Sequence, residues 1–390
     1  MSGGWRGLGR RRKASPQPGP VEPENVGSGK LGEGISYSVT RRDGTDGIPE
    51  VDITYTMTPE GKARWILSAA YENRGATHPD TLTAAFELAE VLREQGSTGD
   101  AVEFYRHAVT GRRTVLGHGH PDTLKATSSL AQALEELGEL SEAEQLTRTV
   151  WAEQVRASGD ADPEALTSLA RVARLALRMK RTAEAERLVR EVLAVRERVL
   201  GQEHRSTLSS RNDLAGALRA QGRVEDAEQL YRQVAEDAGR LFGPADSLSM
   251  HARGNQAAVL AHQGRWAEAE QHYGTVVDFL VRTKSAGHVD TLSARQNLAS
   301  VLHGAGKVGE AEALMRTVVD GYCKVLGTDH PHSVAAMRNL AAMVHRRGGR
   351  TEAEALCRKV VAVYERRFGP GDPRTAEARA NLRLVMGTDG

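Results

Sequence analysis

Residues 78–81 read His78-Pro79-Asp80-Thr81, and the same four residues return 42 positions later as His120-Pro121-Asp122-Thr123. A fixed period of roughly 20–50 residues marks a stacked-repeat architecture, so this recurrence decides the fold. Stepping on by 42 lands on Asp162-Pro163, His204, Asp246, His288, His330-Pro331 and Asp372-Pro373, with no insertion or deletion. With this anchor as position 0, position 11 holds Ala89, Ala131, Ala173, Ala215, Ala257, Ala299 and Ala341. Position 23 holds Ala101, Ala143, Ala185, Ala227, Ala269, Ala311 and Ala353. Position 22 is always acidic, from Asp100 to Glu352, and position 18 is Gly except at Lys180.

Each unit reads as two helices. The anchor His or Asp is an N-cap, and Pro follows it where a missing N–H costs nothing. Apolar residues at positions 10, 11 and 14, such as Leu130, Ala131 and Leu134, have helical spacing. Gly at position 18 ends helix A. The acid at position 22 opens helix B, where negative charge meets the positive end of the helix dipole. Leu116-Gly117, Leu200-Gly201 and Leu326-Gly327 close helix B. Alanine at positions 11 and 23 lets the two helix axes approach, since a larger side chain would push them apart. Two departures stand out: Lys180 replaces the helix A glycine, and Lys284-Ser285 replaces a Leu-Gly close. Local bending or loosening is expected at both. Thr58-Pro59-Glu60 starts a helix before the first anchor, and Arg374 to Leu384 supplies a last helix A as a cap.

Two alanines twelve apart, one per helix, resemble the small-residue pair of tetratricopeptide repeats. His-Pro-Asp, Asn297-Leu298-Ala299 and Asn339-Leu340-Ala341, Ala-Glu in helix B and the closing Leu-Gly are similar to the 42-residue repeat of kinesin light chains. Bacterial proteins with such repeats are common in that family. The resemblance covers residues 58 to 384. It implies an all-α, right-handed superhelical solenoid of antiparallel helix pairs, with helix A lining a concave face used to bind peptides or proteins.

The expected organisation is a basic, Pro- and Gly-rich disordered tail (1–34), a β-hairpin cap (35–57), a leading helix (58–77), seven repeats (78–371) and a C-terminal capping helix and tail (372–390). The hairpin rests on two alternating runs, Ile35, Tyr37, Val39 and Val51, Ile53, Tyr55, Met57, with Asp43-Gly44 and Asp46-Gly47 between them. A lone hairpin is marginal in water, so it should pack on the first helices; its edge also offers strand pairing with a partner or a second copy.

The remaining chemistry is mostly negative. A formal net charge of +1 gives no global field for nucleic acid or membrane. No run approaches a membrane span. The basic start at Arg10-Arg11-Arg12-Lys13 leads into Pro and Gly, unlike a secretory signal. Cys323 and Cys357 suit a reducing cytoplasm and read as small apolar residues. Gly27-Ser28-Gly29-Lys30-Leu31-Gly32 matches a dinucleotide fingerprint, yet lacks the strand before and helix after that the site needs. The histidines, His118 and His120 above all, invite a metal reading, but five of the thirteen are anchor caps in the 42-residue register, and the structural reading is preferred. No acid pair or nucleophile set is singled out, so neither enzyme activity nor a cofactor is expected.

Projecting helix A at 100° per residue puts positions 5, 9, 12 and 16 opposite the packed face. That wall begins acidic at Glu87, Glu90 and Glu94 and becomes basic at Arg171, Arg174 and Arg178. It then turns small and polar, with His251, Asn255, His262, Ser293, Asn297, Asn339, Arg346 and, on the cap, Asn381. A carboxamide donates and accepts, which suits the main chain of an extended peptide; the resemblance likewise associates helix A asparagines with peptide contact. The expected ligand is an extended segment along repeats three to seven, its acidic side chains on the arginines. Arg211, Arg253, Arg295 and Arg379 recur at position 7, on the packed side, and read as structural partners of helix B glutamates. The leading function is a protein-interaction scaffold. The alternative is a regulatory or sensor protein whose groove takes a peptide or small-molecule signal.

Overall fold

A computed structural model describes residues 24–32, 35–43 and 49–387. A leading helix, α1 (Pro59–Arg74), precedes seven helix pairs. These are α2 (Pro79–Glu94) with α3 (Thr98–Leu116), α4 (Pro121–Leu137) with α5 (Leu140–Ser158), and α6 (Pro163–Arg178) with α7 (Thr182–Leu200). Next come α8 (Arg205–Ala220) with α9 (Val224–Phe242), and α10 (Ser247–His262) with α11 (Trp266–Thr283). The last pairs are α12 (Val289–Gly304) with α13 (Val308–Leu326) and α14 (Pro331–Arg346) with α15 (Arg350–Phe368), followed by α16 (Pro373–Met386). Each helix packs mainly on its neighbours in sequence, which makes the array a solenoid.

All eight anchors are N-caps in extended backbone. The histidines cap through Nδ1, which accepts from the backbone N–H two residues on, at 3.2 Å for His78 and His120. The alanines at positions 11 and 23 are each at most 2% exposed, which fits their steric role at the helix crossing. Position 3, passed over in the sequence, does related work. Thr81, Thr291, Ser333 and Thr375 are buried, and each hydroxyl donates to the carbonyl of the residue closing the preceding helix B. One hydrogen bond thus ties each of these repeats to the one before it.

The two irregular repeats keep both of their helices. α6 runs its full 16 residues, and α11 is one residue shorter than the other helices B of the repeats. The departures appear instead as backbone strain: Lys180 (φ 62) and Ser285 (φ 126) are the only non-glycine residues with positive φ among the described residues. Both stand where other repeats place glycine. Of the position 7 arginines, Arg211 and Arg379 pair with Glu197 and Glu365 on the preceding helix B. Arg295 reaches the carbonyl of Ala286 instead, and Arg253 Nε is buried without a partner.

The N-terminal region needs correction. Strands β2 (Ile35–Asp43) and β3 (Pro49–Met57) pair antiparallel, with Tyr37 opposite Tyr55. A further strand, β1 (Glu24–Gly32), comes from the stretch expected to be disordered and pairs with β2, giving a three-stranded sheet in the order β1-β2-β3. The dinucleotide-like run lies on β1 and leads into a strand, not a helix. The sheet meets the helices through β3, which contacts α1. Residues 1–23, with the basic run at Arg10–Lys13, and residues 44–48, with Gly44 and Asp46-Gly47, lie outside the described residues.

Candidate binding groove

Successive helices A stand side by side, so their outward positions form one continuous wall. Side chains 43 residues apart meet along it: Arg93 reaches Glu136 at 3.3 Å, and Asn255 Nδ2 donates to Asn212 Oδ1 at 3.1 Å. Arg346 lies 3.0 Å from His303 Nε2. Many of the charges read from the sequence are therefore already engaged. Glu90 is held by Arg93 and Ser129 at the inner edge of the first repeats.

The three arginines of α6 differ from one another. Arg171 is half-buried and reaches Glu135 at 3.2 Å; exposed Arg178 shares the same carboxylate at 2.8 Å. Arg174 is exposed and has no hydrogen bond or ion pair among the described residues. Its charge is felt by Asp213, the half-buried position 9 residue of the next helix A. Burial pushes the Asp213 carboxyl up, and Arg174 and Arg196 oppose that shift. Arg196 stands behind the wall, only 6% exposed. It has no carboxylate within ion-pair distance and donates to Thr167 Oγ1 (3.2 Å), Ser210 Oγ (2.9 Å) and the carbonyl of Ser206 (3.1 Å). Burial draws its pKa down. Repeat three therefore carries more positive charge than Glu135 and Asp213 balance.

Arg171, Arg174 and Arg178 line a cavity of about 1350 Å³ that residues from the far end of the array also line. From that end come Val289, Val325, Leu326, Asp329, His330, His332 and Arg367, and repeat one adds Arg93, Glu94 and Asp100. The superhelix has turned far enough for its two ends to face each other across its axis. Arg374, at the start of α16, points to the same conclusion. Asp372 is the main cause of its raised pKa, and Glu139, at the α4–α5 turn, contributes too.

Of the residues expected to form the site, the cavity brings together Arg171, Arg174 and Arg178. His251, His262, Ser293, Asn297, Arg346 and Asn381 are at the surface, and Asn255 and Asn339 are half-buried; none of these lines the cavity. The far wall was missed. The sequence marks His330 only as a cap, which it also is, and does not single out Val325. No local signal marks either residue, because the wall exists only once the superhelix has turned. Among the described residues no cluster of His, Cys, Asp and Glu is placed to hold a metal, and no helix is long and apolar enough to cross a membrane.

Comparison with known proteins agrees with the repeat reading. Family models described as "Tetratricopeptide repeat" match residues 80–149, 164–238 and 248–324, with further matches at 212–278 and 333–374. No curated protein matches. Among solved structures, the chain is similar to a putative kinesin light chain from Podosopora anserina with nearly identical TPR-like repeats. The identity is 28%, over 53% of this chain and 98% of that one, at a TM-score of 0.45. It is also similar to BtubC (BKLC) from P. vanneervenii, at 19% identity over 60% and 92% and a TM-score of 0.44. A Rap protein complexed with competence and sporulation factor aligns at 13% identity over 85% and 99%, with a TM-score of 0.48.

Proposed function

The chain belongs to the tetratricopeptide repeat family, and on that premise we propose that it is an interaction scaffold whose inner wall holds an extended segment of a partner protein. The observation that carries the proposal is the continuous helix A surface, with uncompensated arginine charge at repeat three and asparagines further along. Acidic side chains of the segment meet Arg171, Arg174 and Arg178; its main chain meets Asn255, Asn297 and Asn339. Tetratricopeptide repeat arrays bind rather than catalyse, and no catalytic role is assigned to any residue here.

Affinity capture with crosslinking from the native host, repeated with Arg171→Glu/Arg174→Glu and with Asn297→Ala/Asn339→Ala, tests the reading. Capture should weaken while helix content and melting stay unchanged. Capture indifferent to both pairs refutes the groove.

A second reading, a regulatory protein responding to a peptide signal, is favoured by the cavity that both ends of the array line. A ligand there would touch repeats one to three and six to seven together and so fix the curvature. Solution scattering with and without a bound peptide separates the readings: a scaffold keeps its radius of gyration, a sensor changes it.

A further inference from the structure

The last helix, α16, presents a face that the helices A of the repeats keep covered. In the repeats, positions 4 and 11 of helix A pack against helix B: Leu82 lies on Gly111 and Leu292 on Gly321. Leu82, Leu208 and Leu292, all at position 4, are 1% exposed, and the alanines at position 11 are at most 2% exposed. No helix B follows α16 among the described residues, and Ala376 and Arg383, at the same two positions, are exposed. Glu377, Ala380 and Leu384 are exposed beside them. Leu384, at 59%, is the most exposed large apolar side chain among the described residues. At 100° per residue these five side chains fall within about 120° of the helix circumference, so they form one face.

Arg383 excludes one occupant. It stands where the seven repeats have alanine, and alanine there is what lets helix B approach. α16 is therefore not shaped to receive a further helix B in the manner of the repeats. The face instead complements itself. When two α16 helices pair antiparallel about a twofold axis at Ala380, residues equally far from that position on either side stand at the same level. Ala380 then meets its own copy, which lets the axes come close. Leu384 stands against Ala376, large against small. Glu377 stands level with Arg383 across the seam, with opposite charge. Glu377 already meets Arg338 at 2.7 Å, yet 61% of its side chain is exposed, which leaves room for a second cation. We infer that α16 is a self-association surface whose occupant is α16 of a second copy of this chain, joined tail to tail. Its 14 residues span only about 21 Å, so the contact lies at the low end, below roughly 1,200 Å², and the dimer is reversible. Only the terminal helix is engaged, so the helices A of the seven repeats stay open and two inner walls share one particle. A partner carrying two copies of a segment would then be held at both. The inference goes beyond the scaffold reading and stands without it.

Analytical ultracentrifugation of the full chain, with charge-exchange variants, is the test. Sedimentation should move from monomer to dimer as concentration rises from roughly 1 to roughly 300 μM. Glu377→Arg and Arg383→Glu should each weaken the dimer by about tenfold or more, because each sets like charges level with one another. Glu377→Arg/Arg383→Glu together should restore it, since the pairing is exchanged rather than lost. An equimolar mixture of the two single variants should associate where neither does so alone. Leu384→Asp should weaken association with either arrangement of charges. Circular dichroism should show unchanged helix content throughout, which separates a lost contact from a lost fold. A chain that stays monomeric over the whole range overturns the inference. Association that ignores all three single variants also overturns it and moves the contact elsewhere, the N-terminal sheet included. A double variant that stays as weak as the single ones, with no association in the mixture, overturns it as well.

Discussion

Replacing Lys180 with glycine should stabilise the array, although it removes a side chain from a helix end. Lys180 follows the C-cap of α6 with φ 62, where six other repeats hold glycine at φ between 77 and 93. The local hydrogen bonds are the same in kind: Lys180 N–H donates to Leu177 O and Arg181 N–H to Ala176 O, as Gly96 and Ser97 donate to Arg93 and Leu92. They involve backbone only, so glycine keeps them. The left-handed conformation costs a side-chain-bearing residue about 1–2 kcal/mol. Glycine gives back about 0.4–1 kcal/mol through its greater freedom in the unfolded chain. The Lys180 side chain is exposed and forms no hydrogen bond or ion pair among the described residues. The net expectation is a gain of about 0.5–1 kcal/mol. A long repeat array need not melt as one unit, so hydrogen exchange of the α6 and α7 amides is the direct readout. These amides should exchange several-fold more slowly in Lys180→Gly, and those of α8 and α9 faster in the converse Gly222→Lys. Unchanged or faster exchange in Lys180→Gly, with Gly222→Lys tolerated, would refute the assignment of strain.

Ser285→Gly should act in the same direction at the α11 close, raising protection of α11 and α12 by a similar factor. Burial holds the His330 imidazole below its usual pKa, with His332 and Arg367 adding to the shift. The unfolded chain therefore takes up the proton first: the contribution is full above about pH 6.5 and is lost as pH falls below it. His330→Asn keeps a cap and should show a smaller melting-temperature drop than the parent between about pH 7.5 and about pH 5.5; an equal drop would exclude His330 as a contributor. The carboxylate of Glu312 is nearly buried and faces Arg316 and, at 3.1 Å, Arg347. Arg316→Ala and Arg347→Ala should each cost about 1 kcal/mol or less, and together more than their sum, because the double variant strands a buried charge; additive losses by chemical denaturation would contradict this. Ala299→Leu should cost about 1–3 kcal/mol by overpacking a fully buried site, whereas exposed Ala342→Leu should be close to neutral.

What the sequence disclosed follows from the range of the forces involved. Caps, helix stops and crossing alanines are decided within one repeat, so seven copies made them plain, from His78 and Ala89 to Gly348. Contacts between adjacent repeats were half visible. The acids at position 22 were read only as dipole partners, yet Glu142 and Glu184 also meet Arg106 (2.5 Å) and Arg148 (2.7 Å) of the preceding helix B. The period offers that pairing to anyone who compares position 22 with position 28 one repeat earlier. Strand β1 was missed because its glycines and serine carry little strand propensity. Its place comes from pairing with β2 across residues such as Gly29 and Tyr37, a partnership no local pattern announces.

The cavity belongs to a third range. Each repeat turns slightly on the last, and the rotation that brings Val325 opposite Arg174 is the sum of several small steps. A small change in rotation at each crossing would accumulate over the two intervening repeats and open or close the gap. The alanines at positions 11 and 23 therefore act beyond their own packing: by holding every crossing to the same close approach, they keep the per-repeat rotation uniform and the two ends in register. A bulky substitution at Ala215 or Ala257, midway along the array and in contact with neither wall, should disturb the cavity more than one at the terminal Ala353. This links the least chemical residues of the sequence to the geometry of its candidate site.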